Sequence, residues 1–144
     1  MKRLFYIAAM AVLINLSACA DRKQVITFTQ LPAPAQAVIK ANFTVENIAY
    51  IMEERDWTTE YEVRFNDGVE LEFDSDGEVK KVDCKYNPVP EALLPKEVVE
   101  YVKATCPNTF VKEWGRDDWG YKAELNNGLE LKFSRSYKFI GVDD

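Results

Sequence analysis

The fold is decided by the stretch Tyr-Glu-Val-Arg-Phe-Asn-Asp-Gly-Val-Glu-Leu-Glu-Phe-Asp, residues 61–74. Apolar and charged side chains alternate on both sides of its centre, a pattern typical of strands with one buried and one solvated face. The two halves are separated by Asn66-Asp67-Gly68, and Asp-Gly is a strong signal for a two-residue hairpin turn. The stretch therefore predicts two antiparallel strands, with Gly68 at positive φ.

The same pattern occurs a second time, sixty residues later. Residues 61–83 and 121–143 are identical at eight positions, and Gly128 is the equivalent of Gly68. Further upstream, Leu31-Pro32 corresponds to Leu94-Pro95 with a shift of sixty-three residues. Matches spaced in this way indicate an internal duplication.

Each copy predicts one helix followed by strands. Leu-Pro opens the copy, and a proline is well placed in the first turn of a helix. Apolar residues at helical spacing follow in both copies, and four short strands come after them. The predicted fold class is α+β, with two tandem repeats, each one helix packed on a four-stranded antiparallel sheet. The two sheets either join edge to edge or pack side by side.

The domain boundaries follow from this repeated order of one helix and four strands. Repeat 1 is expected at residues 31–86 and repeat 2 at 94–144, with a proline-stiffened linker at 87–93 between them. Residues 20–30 form an N-terminal arm.

The N-terminus predicts export from the cytoplasm. Lys2 and Arg3 precede an apolar run over 4–16, which is too short to span a bilayer, so residues 1–19 are expected to be a signal peptide. The run ends in Leu-Ser-Ala-Cys, a lipobox in which Cys19 is lipidated. The expected product is a periplasmic, membrane-anchored lipoprotein. The alternative is cleavage after Ala20, which gives a soluble periplasmic protein.

Composition argues against catalysis and against nucleic acid as a partner. The chain has no histidine, so the commonest general base and zinc ligand are absent, and neither an enzyme nor a cofactor is expected. The net charge of −6 becomes −8 without Lys2 and Arg3, which disfavours nucleic acid and anionic lipid. A monomer is expected, in contact with a membrane only through the lipid anchor. Cys84 and Cys106 either form a disulfide or remain as two separately buried thiols.

These motifs together resemble a known family. Leu-Pro and a helix, then Tyr-x-Val-x-Phe-x-Asp-Gly-x-Glu-x-x-Phe-Asp-x-x-Gly, then Pro-Val-Pro and a second such unit, are similar to the PepSY-like family of Bacteroides-type periplasmic proteins. That family resembles the beta-lactamase inhibitor protein in fold. The resemblance covers residues 31–144 and implies tandem helix-plus-sheet modules, an open sheet face and a protein-binding or inhibitory role.

A protein-binding surface is expected on the outward sheet face. Its charged residues are Glu62, Arg64, Glu70, Glu72, Lys122, Glu124, Glu130 and Lys132. Trp114 and Tyr86 are expected to be its exposed apolar anchors. Trp57 and Trp119 are predicted to close the edge of the core, because they share the parity of Tyr61 and Tyr121. The alternative for these two is an exposed aromatic patch.

Two functions are therefore weighed. The first is a periplasmic module that binds an unknown envelope protein, as an inhibitor of a peptidase or another envelope enzyme. The alternative is a domain that senses a small ligand or calcium, with Asp74 and Asp76 as the candidate ligands. A hairpin turn explains these two aspartates equally well.

Overall fold

The computed structural model describes residues 22–143. The predicted signal peptide and the lipidation at Cys19 lie outside this range. In the described part, two α-helices and nine strands follow one another along the chain, with short 3-10 turns between some of them. No described helix has the length and apolar character that crossing a membrane requires.

The helices are α1 (Ala33–Asn42) and α2 (Lys96–Thr105). Pro32 and Pro95 occupy the N-cap positions, one residue earlier than the first turn predicted for them. Both helices are ten residues long, and their C-cap residues, Phe43 and Cys106, are at equivalent positions of the two repeats.

All nine strands lie in one sheet, and every strand is antiparallel to its neighbours in sequence. The molecule is therefore an α+β protein with a single continuous sheet, so the two repeats join edge to edge, which is the first of the two predicted arrangements. The strands are β1 (Lys23–Ile26), β2 (Ile48–Arg55), β3 (Thr59–Phe65), β4 (Glu70–Phe73), β5 (Val79–Asp83), β6 (Val111–Asp117), β7 (Gly120–Leu125), β8 (Glu130–Phe133) and β9 (Phe139–Asp143).

Two differences from the sequence prediction concern the first strands. β1 lies in the segment predicted to be an arm, and it pairs with the last half of β2, Val25 opposite Met52. β2 continues to Arg55 and is eight residues long, although only short strands were predicted. Pairing partners on both sides stabilise this longer strand, which local sequence alone does not indicate.

The core lies between the helices and one face of the sheet. Ile39 of α1 and Val98 of α2 are fully buried. They pack with every second residue of the strands, such as Val63, Leu71 and Phe133. The opposite face has no covering helix among residues 22–143 and carries the charged side chains. We call it the open face. The alternation of apolar and charged residues in the sequence thus corresponds to one buried and one solvated face of the sheet.

The β3–β4 turn and the equivalent β7–β8 turn are three residues long, so the prediction of two-residue turns was wrong. Phe65 N–H donates to Val69 O at 2.9 Å, and Gly68 N–H donates to Phe65 O at 3.0 Å. Leu125, Gly128 and Leu129 repeat this arrangement. It is a turn closed by a bulge residue in the left-handed region, so Gly68 and Gly128 have φ of 89° and 87° as expected.

Candidate protein-binding surface

The eight charged residues predicted for the open face all lie there and are half-buried. Along each strand these charged residues alternate with core residues. Glu62 and Arg64 lie on either side of buried Val63, and Glu124 lies between buried Ala123 and Leu125. The sheet brings residues of both repeats onto one continuous surface, because β5 pairs with β6.

Most of these charges are neutralised by close neighbours. Arg64 pairs with Glu62 at 3.0 Å and with Glu70 at 2.8 Å. In repeat 2, Lys122 pairs with Glu130 at 3.1 Å. Lys132 pairs with Asp143 at 2.7 Å. Glu124 pairs with Lys112 at 2.6 Å. The charge ladder therefore has little uncompensated charge to offer a partner.

Glu72 differs from the other carboxylates of the ladder. It lies directly opposite Glu62 on β3 and Lys81 on β5, but Lys81 Nζ contacts Glu113 at 3.1 Å. Burial raises the pKa of Glu72, and the nearby carboxylates of Glu70 and Glu62 act in the same direction against Lys81. The negative charge of Glu72, on the repeat 1 half of the face, is therefore less favourable in the folded protein than in water.

A concavity of about 580 Å³ lies on the same half of the open face. Its floor is apolar and consists of Val25, Tyr50 and Met52, contributed by β1 and β2. Val25 is 70% exposed. The other lining residues are Lys23, Glu54, Glu60, Tyr61, Glu62 and Glu72. A small apolar pocket with an acidic rim suits an anchoring side chain of a basic protein segment.

The repeat 2 half of the open face is different. Its concavity is smaller, about 260 Å³, and its lining is charged or glycine. Three of the predicted residues, Lys122, Glu124 and Glu130, lie in it. The structure therefore separates the predicted surface into an apolar-floored half and a charged half.

Trp114 was predicted to be an exposed anchor, and this is wrong. It is only 5% exposed, stands opposite core residues Val82 and Ala123, and stacks on Tyr121 with ring centroids 5.1 Å apart. The cause is a bulge in β6 near residue 112, which shifts the alternation by one position.

The predicted burial of Trp57 and Trp119 is also wrong. Trp57 is 99% exposed, and Trp119 is exposed beside the Lys132 ammonium, which lies 5.3 Å from its ring centroid. Both stand in turns, outside β3 and β7, where strand parity does not apply. Tyr86 is 92% exposed, as expected, in the segment after β5.

Cys84 and Cys106 are free thiols, so no disulfide joins them in the structure. Cys84 is buried, and burial raises its pKa to about 11. Cys106 is partly buried at the C-cap of α2. A thiol with so high a pKa is a core group and not a nucleophile.

Asp74 and Asp76 lie in the β4–β5 turn, and Asp74 organises that turn. Its Oδ1 accepts the N–H groups of Asp76 at 3.1 Å and Glu78 at 2.9 Å, and its Oδ2 pairs with Arg116 at 3.1 Å. Burial would raise the pKa of Asp74, but the Glu78 N–H and Arg116 outweigh it and lower it. Within residues 22–143 no group of three acidic or cysteine side chains is placed to hold a metal ion.

These features define a class of protein: one antiparallel sheet with two helices on one face and an open, partly apolar other face. The chain matches the model of the family described as "Putative beta-lactamase-inhibitor-like, PepSY-like" over residues 18–71 and again over 59–141. It therefore belongs to this PepSY-like family. No curated protein matches the chain.

Solved structures of similar sequence have the same fold. One is described as a putative periplasmic protein of the DUF2874 family from Bacteroides vulgatus; it is 36% identical, with a TM-score of 0.81, covering 87% of this chain and 99% of that one. A second, from Bacteroides thetaiotaomicron, is described as a putative calcium-regulated periplasmic protein, with 36% identity, a TM-score of 0.80 and coverage of 87% and 99%. A third, also from Bacteroides vulgatus and described as periplasmic and of unknown function, is 35% identical, with a TM-score of 0.78 and coverage of 85% and 99%.

Proposed function

We propose that the chain is a non-enzymatic periplasmic module that binds an envelope protein through its open face. The observation that carries this proposal is the apolar-floored concavity on repeat 1, together with the fully exposed Trp57 in the turn that joins β2 and β3, two of the strands that line it. Trp57 stands three residues from both Glu54 and Glu60, which line the concavity. Exposed aromatic groups next to a pocket are typical anchors of protein interfaces.

The partner is expected to present a basic segment with one large apolar side chain. The apolar side chain fills the space above Tyr50 and Met52, and the basic groups meet the acidic rim. The self-paired charges of repeat 2, including Lys122 and Glu130, serve as a polar rim. Because rim charges are solvated, binding weakens as salt rises.

Capture of partners from an envelope extract tests the proposal. The bait is the tagged chain without residues 1–19, and the test variant is Tyr50→Ala combined with Trp57→Ala. Neither side chain is in the core, so the fold is expected to be retained. We expect a partner that is captured by the parent chain and lost from the double variant. The matched control is Glu100→Ala, on the exposed side of α2.

Two results would count against this placement. Loss of capture with Tyr86→Ala, but not with the double variant, would place the anchor in the segment after β5 instead of at the concavity. Undiminished capture by the double variant would remove the concavity from the interface. A further variant, Glu70→Lys with Glu130→Lys, tests the charged ladder, since these carboxylates pair with Arg64 and Lys122.

An inhibitory role is part of the proposal, supported by the family's description as beta-lactamase-inhibitor-like. The target is expected to be a peptidase or another envelope enzyme. Activity of a captured enzyme, measured with increasing amounts of the chain, checks this. A partner whose activity stays constant at saturation would leave binding without inhibition.

A calcium-responsive role is the second candidate, favoured by the description of the Bacteroides thetaiotaomicron neighbour as calcium-regulated. The geometry supports it less, because the Asp74 carboxylate already accepts two N–H groups and pairs with Arg116. Calorimetric titration with calcium distinguishes the two candidates. Saturable heat that is lost in Asp74→Asn would favour the sensor.

Lipid anchoring through Cys19 completes the proposed location. The support is the Leu-Ser-Ala-Cys sequence and the periplasmic description of the solved neighbours. Mass spectrometry of the mature N-terminus checks it. An acylated Cys19 is expected, whereas an unmodified Asp21 would establish the soluble form.

A further inference from the structure

Equivalent strands of the two repeats have very different surroundings. Val82 of β5 is fully buried, whereas its counterpart Val142 of β9 is 46% exposed. The backbone register is the same, since Val82 lies opposite Leu71 and Val142 opposite Leu131. The difference is the outer neighbour: β5 pairs with β6, while in residues 22–143 β9 pairs with β8 alone. β9 is thus an apolar strand at a free edge.

β9 carries fewer charges than its counterpart in repeat 1: Asp143 is the one charged residue of the strand, and it pairs with Lys132 of β8. The interior strand β5 carries Lys80 and Lys81, and the edge strand β9 has Ile140 and Gly141 at these positions. Ile140 is 58% exposed, and a Cβ on Gly141 would meet nothing within 4 Å. Natural edge strands are usually blunted by lysine or other charges, because an open edge is a template for another strand. Here the two lysines stand on the strand that is already covered.

The other edge of the sheet is protected. On β1, Lys23 pairs with Glu54 at 2.9 Å, and the Gln24 amide donates to Glu53. Burial alone would raise the pKa of Glu53, but hydrogen bonds from Gln24 and Arg55 outweigh it and lower it. β1 is therefore held by polar contacts to β2. The two edges of one sheet differ in their chemistry: β1 exposes one large apolar side chain, Val25, whereas β9 exposes three, Phe139, Ile140 and Val142.

We propose that the β9 edge binds an extended segment of another protein by strand addition. The β5–β6 junction is the template, because it shows what covers the equivalent edge of repeat 1. There Trp114 lies opposite Val82 and Gly115 opposite Lys81. The added segment is accordingly extended and carries a large apolar side chain opposite Val142, on the helix side of the sheet. Main-chain hydrogen bonds supply affinity, and this side chain supplies specificity.

On the helix side of the β9 edge, aromatic side chains are available to contact such an apolar side chain. Phe139 is exposed and stacks on Tyr101 of α2, with ring centroids 4.4 Å apart. Tyr101 also meets buried Phe133 edge-on at 5.7 Å. An apolar group opposite Val142 would extend this aromatic layer, as Trp114 does within the chain.

A second copy of the chain suits this edge less well. β9 is five residues long, which gives a ladder of about 17 Å, and a stable dimer needs about 800 Å² from each partner. Each copy also has a net charge of −8 once Lys2 and Arg3 are removed from the total of −6, so two copies repel one another.

A peptide taken from the chain itself is a suitable probe. It has the sequence of residues 110–117, Phe-Val-Lys-Glu-Trp-Gly-Arg-Asp, which contains the strand that covers β5. We expect saturable binding of the labelled peptide to the chain without residues 1–19, measured by fluorescence anisotropy. A control peptide with lysine in place of tryptophan is expected to bind about tenfold more weakly or worse.

Matched variants locate the binding site. Ile140→Lys with Val142→Lys places charges on the β9 edge and is expected to weaken peptide binding about tenfold or more. Gln24→Lys, on the opposite edge strand and outside the lining of the open-face concavity, is expected to leave it unchanged. If the double variant does not fold, hydrogen exchange of the parent chain serves instead. The amides of residues 139–143 should then gain protection when the peptide is added.

Three results would overturn the proposal. The first is no saturable binding at about 1 mM peptide. The second is equal binding by the parent and a folded double variant, or no added protection over residues 139–143. The third is a dimer in sedimentation velocity that Val142→Lys dissociates, which would make a second copy the occupant. None of these results bears on the open-face concavity, because its residues lie on β1 to β4 at the other end of the sheet.

Discussion

The β4–β5 turn of repeat 1 and the β8–β9 turn of repeat 2 have one backbone and two kinds of packing. Gly77 and Tyr137 occupy the same position, with φ of 82° and 62°. In repeat 1 a Cβ on Gly77 would stand 2.8 Å from Pro32 Cβ and 3.0 Å from Ala35 N, so the start of α1 packs directly on the turn. In repeat 2 the Tyr137 ring lies 5.0 Å from Tyr121 and 6.4 Å from Trp114.

The comparison shows how a duplicated unit diverges without changing its hydrogen bonds. Gly77 N–H donates to Asp74 O at 2.9 Å, and Tyr137 N–H donates to Ser134 O at 2.9 Å. Repeat 1 fills the space beside its turn with a helix terminus, whereas repeat 2 fills it with aromatic side chains. The backbone strain of a non-glycine residue at positive φ is offset by aromatic packing.

The largest effect is expected from removing the centre of the repeat 2 aromatic layer. Trp114→Ala should lower the free energy of unfolding by about 3–5 kcal/mol, because it leaves a cavity beneath Tyr121 and Phe133. Trp57→Ala should change it by less than about 0.5 kcal/mol, since this tryptophan is exposed. Urea melts of both variants check the contrast, and similar midpoints would contradict the burial of Trp114.

Exchange of the turn residues tests the comparison directly. Gly77→Tyr should cost about 2 kcal/mol or more, because the new side chain meets Pro32 and the backbone of Ala35 at positive φ. Tyr137→Gly should cost less, about 1 kcal/mol, since the loss of ring contacts is partly offset by relief of strain. Urea melts give the order, and the reverse order would show that the two turns are packed alike.

The β3–β4 and β7–β8 turns should respond more equally. Gly68→Val and Gly128→Val should each cost about 1–2 kcal/mol, because a β-branched residue at positive φ is strained in both. The two costs should be similar, since a Cβ on Gly68 would make only an ordinary contact, 3.7 Å from Lys85 Cγ, and one on Gly128 meets nothing within 4 Å. Chemical denaturation of each variant measures these costs. Unchanged stability in either would place that hairpin elsewhere.

The smallest effect concerns Glu72. Glu72→Gln should raise the free energy of unfolding by about 0.5 kcal/mol at neutral pH, because it removes a partly buried negative charge opposite Glu62 without placing a second ammonium group opposite Lys81. The pKa of Glu72 is raised in the folded state, so ionisation of this carboxyl group lowers the free energy of unfolding. This destabilisation is absent below the usual pKa of 4.5, grows as the pH rises from there to the folded pKa, and is complete above it. Melts at acidic and neutral pH should show the gain only at neutral pH; a gain that does not depend on pH would assign it to packing.

Sequence periodicity predicted the parts of the fold that depend on local pattern. The alternation of Tyr61, Val63 and Phe65 placed β3 and its charged neighbours on the correct faces. Trp114 was misplaced because a bulge in β6 is set by pairing with β7, which no local pattern records. The three-residue turns share the Gly signal of two-residue turns, so only hydrogen bonds distinguish them.

The concavity shows the same limit at the candidate site. Glu62 and Glu72 were predicted on the open face from parity alone. Val25 and Tyr50 were missed, because their contribution depends on β1 pairing with β2, a contact between segments separated by α1. A site assembled from distant segments requires the sheet order, which the sequence did not supply.

The sequential order of the strands has a consequence for how the molecule folds. Each strand pairs with its neighbours in the chain, so most ladders close short loops at small cost in chain entropy. The exceptions are β1 with β2, across α1, and β5 with β6, across residues 84–110, which contain α2. We therefore expect β2–β5 and β6–β9 to form early as two independent nuclei, with closure of β6 on β5 as the slow kinetic step that joins them.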